Sequence, residues 1–376
     1  MQNSNETGFL NKMKQLFNPL LVPVLAIVTA VVVGGLIIYS VGGDPIKAYM
    51  GLIQGAFGSP KALSETAVWA TPYIFAGLAV AVAFNGGLFN IGAEGQLALG
   101  AVTAALIGYA LPGWLGVKTL PAYIHIPLAV GLGMLAGALW AAIPGALKAY
   151  TGGHEVINTI MMNYIALNIT SYLLNGPMKD HDPLNVSART PEIAMNARIP
   201  ALFANPLLRV HWGFILALVI AALMWWMLWK TKLGFEIRTV GTNPDAAKYA
   251  GINVKRTIII TMAISGALAG LAGAIEVTAL NYRHELGFSS GYGFDAIAIA
   301  LLGKTNPFGV ILASILFGAM RNGATRMQFL TQIPVDIISV IQALILLFVA
   351  ADAIIRFIYR IRSREEKVVL TRGWNG

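Results

Sequence analysis

Three carboxylates interrupt the long apolar stretches of this chain, and their chemistry needs an explanation. Glu94, Glu276 and Asp295 each stand among Ala, Gly, Ile and Leu. An ionised carboxylate at the centre of a bilayer costs roughly 2.5 to 3.5 kcal/mol on insertion scales, so it rarely faces lipid. Glu94 therefore has two interpretations, a hydrogen bond inside a helical bundle or a position on a solute path. All three together could also form a proton relay in an ion-coupled transporter.

Polar residues and glycines crowd the segment Phe84–Gln96, at the start of an apolar run. Irregular backbone at membrane depth is tolerated inside protein or beside a water-filled cavity. Asparagine offers donors and acceptors, and an aromatic ring can stack on a base or a sugar, so a neutral solute fits. No intramembrane Lys or Arg is evident in this segment to pair with a zwitterion. We predict a solute path lined by Phe84, Asn85, Asn90, Glu94, Asn158, Asn163 and Asp295.

Motifs of enzymes are mostly absent. Gly303-Lys304-Thr305 resembles the end of a phosphate-binding loop, but Ala298 stands where that motif needs its first glycine. The chain has no cysteine, and its histidines show no metal-ligand spacing: His125, His154, His181, His211 and His284. We expect no catalytic residue, no cofactor and no metal, and hence no enzyme.

The composition predicts an all-α integral membrane protein of about ten transmembrane helices. Hydrophobic residues make up 57% of the chain and charged residues 11%, against about 25% charged in soluble domains. The net charge is +9, and the charged residues flank apolar segments. This pattern suits a protein that faces an anionic lipid surface and not one that binds nucleic acid. We expect a cytoplasmic N-terminal segment at 1–18, a transmembrane domain at 19–356 and a cytoplasmic tail at 357–376. The region from Leu286 to Met320 could be one long span or two short ones broken near Gly303–Pro307, and two short spans put both termini on the same side.

The distribution of Lys and Arg predicts the orientation. These residues concentrate in the loop 230–256 and in the tail, so both should face the cytoplasm of a bacterial cell, with loop 175–211 outside. Spans two to five and seven to ten would then run in opposite directions, as an inverted repeat. Paired small residues predict close helix packing through Gly133 with Gly137 and Gly266 with Gly270.

A short, doubly capped helix is predicted inside the basic loop. Asn243 is a good N-cap, Pro244 suits the first helical position, and Asp245 favours the positive end of a helix. Gly251 suits the position after the helix. The helix is either a surface feature without a partner or a rigid knob that fits a cleft on a soluble subunit.

Four segments resemble a known family. Phe84–Gln96, Gly152–Tyr164, Gly241–Ile252 and Gly293–Ala298 occur in the same order as in ABC importer permeases of the branched-chain amino acid and simple-sugar superfamily. The resemblance covers nearly the whole chain after Thr66. It is closest to the branch assigned to nucleoside uptake.

The resemblance implies the permease of a type II ABC importer, which takes up nucleosides by alternating access. Its expected partners are a second, commonly different, permease chain, a cytoplasmic ATPase subunit that hydrolyses ATP, and an extracytoplasmic solute-binding protein. Simple-sugar uptake, ribose for example, and ion-coupled transport through the three carboxylates remain the alternatives. By resemblance the residues that couple to the ATPase are Gly241, Asn243, Pro244, Asp245, Ala246, Ala247 and Gly251.

Overall fold

A computed structural model describes residues 24–182, 187–289 and 291–350, together with positions 355, 358 and 359. The predicted N-terminal segment 1–18 and nearly all of the tail 357–376 lie outside these residues. The described chain is helical and contains no β-strand. Isolated bridges join Arg189 to Glu285 and Ala201 to His211. The predicted all-α class is confirmed.

Thirteen α-helices are named in the described residues, and ten of them overlap the segments predicted as spans. Six are long and apolar enough to cross a membrane, namely α3, α4, α5, α7, α10 and α12, whereas α1, α11 and α13 are shorter apolar helices and α6 is the tenth. In chain order the helices are α1 (Val24–Ser40), α2 (Pro45–Phe57), α3 (Pro60–Asn85), α4 (Ala93–Trp114), α5 (Ala122–Thr151), α6 (Glu155–Asn175), α7 (Trp212–Lys230), α8 (Lys232–Thr242), α9 (Pro244–Tyr249), α10 (Val254–Glu276, with a π-helical end Val277–Asn281), α11 (Tyr292–Leu302), α12 (Pro307–Thr331) and α13 (Asp336–Ala350).

The chain divides into two compact units. The first comprises residues 1–55 and 323–376, and the second residues 56–322. In the described part of the first unit, Gly51 lies against the backbone of Met327 and Gly34 against the side chain of Ile341. Both contacts leave little room for a side chain at the glycine. The second unit holds the predicted path and the predicted coupling helix.

Glycine contacts build the core of the second unit. A Cβ atom on Gly137 would lie 2.3 Å from the carbonyl oxygen of Gly266, and one on Gly270 would lie 2.6 Å from that of Gly133. Helix α5 therefore meets α10 backbone to backbone, as the two glycine pairs predicted. Gly100 of α4 meets Gly270 in the same way.

The order of elements repeats along the chain. A long helix, α3 or α10, is followed by a segment without an α-helix, 86–92 or the described residues 282–289 and 291, and then by a new helix, α4 or α11. Two or more further helices complete each series. This repeated order places α4 and α11 at corresponding points of the two series, and the inverted repeat stays a prediction.

Candidate translocation site and coupling helix

The N-termini of α4 and α11 meet within the second unit. A Cβ atom on Gly293, in the first turn of α11, would lie 2.3 Å from the backbone nitrogen of Glu94, in the first turn of α4. Only glycine permits this approach. The buried Glu94 carboxylate accepts a hydrogen bond from the Gly293 N–H at 2.7 Å and another from the Ser289 hydroxyl. Its negative charge thus faces the positive end of α11.

These contacts support one of the two interpretations of Glu94, the hydrogen bond inside the bundle. One carboxylate oxygen is engaged by backbone and the other by a hydroxyl. The first turn of a helix has unpaired N–H groups, and each must find a partner when it is buried in protein. Glu94 supplies such a partner across two helices, so it is a structural cap of α11.

Asn90 fixes the irregular segment before α4. Its amide nitrogen donates to Gln96 Oε1 and to Ser265 Oγ, each at 2.8 Å, and its oxygen accepts from the Gly92 N–H at 3.0 Å. The side chain is 1% exposed. Both ends of the amide are therefore engaged inside the protein, and Asn90 offers no free group to a solute in this conformation.

Asn163 of α6 supports the same segment from the other side. Its oxygen accepts from the Gly95 N–H at 2.8 Å and its nitrogen donates to the Ile91 carbonyl at 2.8 Å. The side chain is buried. Asn163 therefore satisfies backbone groups that the start of α4 leaves unpaired. The expectation that it lines a path gains no support from these contacts.

The other predicted path residues lie at helix ends. Asn85, at the end of α3, donates to the Thr305 carbonyl at 3.0 Å and so links α3 to the turn after α11. Phe84 packs edge-on against the half-exposed Phe89, with ring centroids 4.9 Å apart. Asn158 is partly buried in the first turn of α6. Exposed aromatic surface at Phe89 is compatible with contact to a solute.

Asp295 lies beside aromatic side chains and a cation. The Tyr73 hydroxyl donates to its carboxylate at 2.8 Å, and the Tyr73 ring packs edge-on against Tyr292 with centroids 5.0 Å apart. The Arg321 guanidinium lies 5.7 Å from the ring centroid of Trp69. Arg321 itself lies within α12, a candidate span by length and composition.

The predicted start of the short helix in the basic loop is confirmed, while its coupling role stays a prediction. Helix α9 begins at Pro244, and the Asn243 side-chain oxygen accepts from the N–H groups of Asp245 at 3.0 Å and Ala246 at 3.1 Å. This is the N-cap that the sequence indicated. Proline at the first position costs nothing there, because its missing N–H would have no partner within the helix.

The end of α9 follows a Schellman motif. The Ile252 N–H donates to the Ala247 carbonyl at 3.0 Å, and Gly251 has φ +80°. The side chain of Tyr249 is 97% exposed, whereas Ala247 is fully buried. Ala247 therefore attaches the helix to the protein, and replacing it would disturb this packing. The surface available to a partner is carried by Ala246 and Tyr249 instead.

A close backbone contact at Gly241, called the glycine joint below, connects α8 to the start of the irregular segment before α4. A Cβ atom on Gly241, in α8, would lie 2.3 Å from the Asn85 carbonyl oxygen and 2.7 Å from the Gly87 nitrogen. Gly87 itself has φ +68°. Helix α8, which leads directly into α9, thus touches the turn from which the chain returns toward Glu94. Gly241 has a predicted coupling role only by resemblance, and this contact supplies a physical reason for a glycine at that position.

We expect Gly241→Ala to distort the glycine joint between α8 and the Asn85–Gly87 turn. The added methyl group would overlap backbone atoms that cannot rotate away, so the turn at Asn85–Gly87 must shift. We expect transport to fall at least about tenfold, with a loss of roughly 1–3 kcal/mol in stability. Gly131→Ala in α5 is the matched control, because a Cβ atom there meets nothing within 4 Å. Equal transport by both variants would contradict the role of the joint.

The connection between α6 and α7 and the end of α10 enclose a pocket of ≈ 400 Å³. Its lining includes Phe203, Asn205, Arg209, His211, Leu280 and Tyr282. His211 is buried here, and its pKa is lowered to about 4 by burial and by the positive charge of Arg209. Burial lowers the pKa of the nearby loop residue His284 to about 3. Both histidines are neutral in the folded protein at pH 7.

We expect acid to destabilise the region around His211 and His284. Below pH 6.5 each histidine binds a proton in the unfolded chain but stays neutral in the folded protein. The free energy of unfolding therefore falls as the pH drops toward 4. At pH 5 each histidine should cost about 2 kcal/mol. The apparent Tm in detergent should fall from pH 7.5 to pH 5, and less so in His211→Gln and His284→Gln. The exposed His154→Gln variant should keep the full drop. A wild-type Tm independent of pH would contradict this expectation.

No group of three or more His, Asp or Glu side chains in the described part of the chain is arranged to hold a metal ion. The candidate site consists of hydrogen-bonded helix ends, the surroundings of Asp295 and the short capped helix α9.

Comparison with known proteins then identifies the family. Residues 62–350 match the family described as branched-chain amino acid transport system, permease component. The chain belongs to this family of transport permeases.

Relatives of this family permease are similar over nearly the whole chain. It is 43% identical to the guanosine ABC transporter permease protein NupP of Bacillus subtilis, over 90% of this chain and 95% of the relative. It is 37% identical to the nucleoside ABC transporter permease protein NupB of Lactococcus lactis, over 89% and 92%. A glucose ABC transporter permease of Haloferax volcanii is 35% identical over 87% and 86%. No solved structure matches the chain. The family predicted from four short segments is confirmed.

Proposed function

We propose that this chain is the membrane-spanning permease subunit of an ATP-driven importer and that it takes up nucleosides by alternating access. The observation that carries the proposal is the 43% identity to a guanosine permease over 90% of the chain. The similarity to a nucleoside permease over 89% of the chain adds to it. Family membership favours this mechanism over an ion-coupled transporter that uses Glu94, Glu276 and Asp295 as a relay.

The proposed energy source is a cytoplasmic ATPase subunit that docks on α9. The capped helix is short and rigid, presents Tyr249 to solvent, and follows directly on α8, whose Gly241 touches the base of the irregular segment. ATP can shift the permease between two states only if the ATPase binds those states with different affinity. Movement of α9 is therefore the proposed input, and the α4–α11 junction the element that it moves.

The importer should contain two further partners. A second permease chain, commonly a different one, would complete the pore, and an extracytoplasmic binding protein would deliver the solute. These partners follow from the importer class and not from any contact within this chain. Of the predicted path residues, Asp295, Phe84, Asn85 and Asn158 keep a proposed path role, whereas Glu94, Asn90 and Asn163 shape the path by fixing its backbone.

The proposed location is the bacterial cell membrane, with both termini in the cytoplasm. The native chain has no cysteine, so single substitutions report accessibility without background. Ser187→Cys in the external loop should react with an impermeant thiol reagent added to intact cells. Ser363→Cys, which lies outside the described residues, should not. Labelling of Ser363→Cys from outside would reverse the proposed orientation.

Uptake by cells with and without this gene tests the solute. We expect loss of the gene to abolish uptake of labelled guanosine and adenosine while leucine uptake is unchanged. Ribose and glucose belong in the panel, because a glucose permease is also among the relatives. Loss of sugar uptake with nucleoside uptake intact would replace the nucleoside proposal by a sugar proposal and leave the importer proposal standing.

A further inference from the structure

The surroundings of Asp295 combine two opposite charges with an aromatic face. Tyr73, near the middle of α3, donates its hydroxyl to the carboxylate at 2.8 Å, and Tyr292 packs against Tyr73. One helical turn before Tyr73, Trp69 carries the Arg321 guanidinium 5.7 Å above its ring. Three residues of α3 and α12 and the first turn of α11 thus bring a carboxylate, a guanidinium and an indole together.

The Asp295 carboxylate and the Arg321 guanidinium do not form a salt bridge with each other. Among the described residues, no carboxylate lies within the 4.0 Å salt-bridge distance of Arg321. Asp295 is near enough to Arg321 for electrostatic attraction, and Tyr73 is its one hydrogen-bond donor among those residues. Asp295, Arg321 and Trp69 are each only partly buried, whereas Tyr73 is fully buried. Charged side chains within spans mark solute pathways when they are neither facing lipid nor fully paired.

Building on the proposed function, we propose that Asp295, Arg321 and Trp69 recognise the base of a 6-oxopurine nucleoside, guanosine or inosine, during its passage. The free capacity of the Asp295 carboxylate accepts from the N1–H of the base, and from the 2-amino group of guanine. Arg321 donates to O6 and N7, the pairing that guanidinium groups make with guanine. The Trp69 indole stacks on the base, as aromatic side chains do with unpaired bases.

Adenosine fits this arrangement poorly. Its 6-amino group would face the donors of Arg321, and its N1 lone pair would face the Asp295 carboxylate. Each of these contacts replaces an attraction by a repulsion, and unpaired polar groups are a strong basis for discrimination. Tyr73 acts as a positioning residue, because its hydroxyl holds one carboxylate oxygen and leaves the other for the base.

The test compares the uptake rates of labelled guanosine and adenosine by cells that express each variant at the same membrane level. Arg321→Gln should lower the guanosine-to-adenosine ratio about tenfold, as expected when a bidentate pair is lost. Asp295→Asn should shift the ratio toward adenosine, because an amide can donate to N1 and accept from the 6-amino group. Arg326→Gln, on an exposed position of the same helix, should leave the ratio unchanged.

The ratio separates recognition from support of the fold. If Arg321→Gln and Asp295→Asn lower uptake of both nucleosides equally, the cluster only supports the fold and the proposal is overturned. If Arg321→Gln does not reach the membrane, Arg321→Lys keeps the charge and loses the planar fork, and an unchanged ratio there overturns the proposal as well. If the wild-type chain imports neither nucleoside, the proposed function itself fails and takes this site with it.

Discussion

Tyr249→Asp is expected to abolish uptake while the permease still inserts in the membrane. The side chain is 97% exposed at the end of α9, so it contributes little to the fold and is free to enter a cleft of a partner. Tyrosine anchors at the centre of interfaces commonly contribute about 2 kcal/mol or more, about a thirtyfold change in affinity. We expect co-purification of the ATPase and ATP-driven uptake to fall together. Ala246→Arg, on the exposed part of the same helix, should act in the same way.

Tyr123→Ala is the matched control for the coupling helix. Tyr123 is 79% exposed in the first turn of α5, which the proposed orientation places on the outer side. The Tyr123→Ala variant should retain both co-purification of the ATPase and ATP-driven uptake. If Tyr249→Asp and Ala246→Arg also retain co-purification and uptake, α9 is not the docking element. The family assignment would still stand.

Glu94→Leu is expected to destabilise the permease and to stop transport of every solute. The leucine would leave the Gly293 N–H and the Ser289 hydroxyl without their acceptor inside the bundle. Hydrogen bonds to charged groups contribute about 1.5–3 kcal/mol each, so a loss of about 3 kcal/mol or more is expected. Uptake should fall more than about tenfold, with the ratio between solutes unchanged. Glu94→Gln keeps one acceptor and should give an intermediate loss of stability and rate.

Glu236→Gln is the matched control for the loss of charge at Glu94. Glu236 faces Lys232 at 3.8 Å on the surface of α8, an exposed pair of the kind that contributes about 0–1 kcal/mol. Thermal unfolding in detergent and uptake by cells should both stay close to wild type. If Glu94→Leu instead keeps its stability and changes solute preference, Glu94 touches the solute and is not a cap.

Features encoded by neighbouring residues could be predicted from the sequence. The ends of α9 depend on Asn243, Pro244 and Gly251, all within a few positions of the helix they cap. The glycine pairs of α5 and α10 predicted close packing, because their spacing already places them on one face of each helix. The positions of the long apolar helices follow from the apolar pattern in the same local way.

Features that depend on distant residues could not be predicted in this way. The partner of Glu94 on α11 is 199 positions away, so one sequence could not decide between a cap and a path residue. Burial of Ala247 depends on how α9 rests on its neighbours, which the cap residues do not determine. The place of Arg321 depends on the length of α12 beyond Met320. Asparagines that looked available to a solute, such as Asn90, are engaged by partners that only the fold brings together.

The most direct test of the central claim is uptake of labelled guanosine into proteoliposomes that contain the purified complex of this permease with its co-purifying ATPase. The extracytoplasmic binding protein is added on the side opposite the ATPase. We expect guanosine to accumulate when ATP is supplied to the ATPase, and a proton gradient without ATP to have no effect. Accumulation driven by the proton gradient alone would contradict the account, since Glu94, Glu276 and Asp295 would then belong to an ion-coupled transporter.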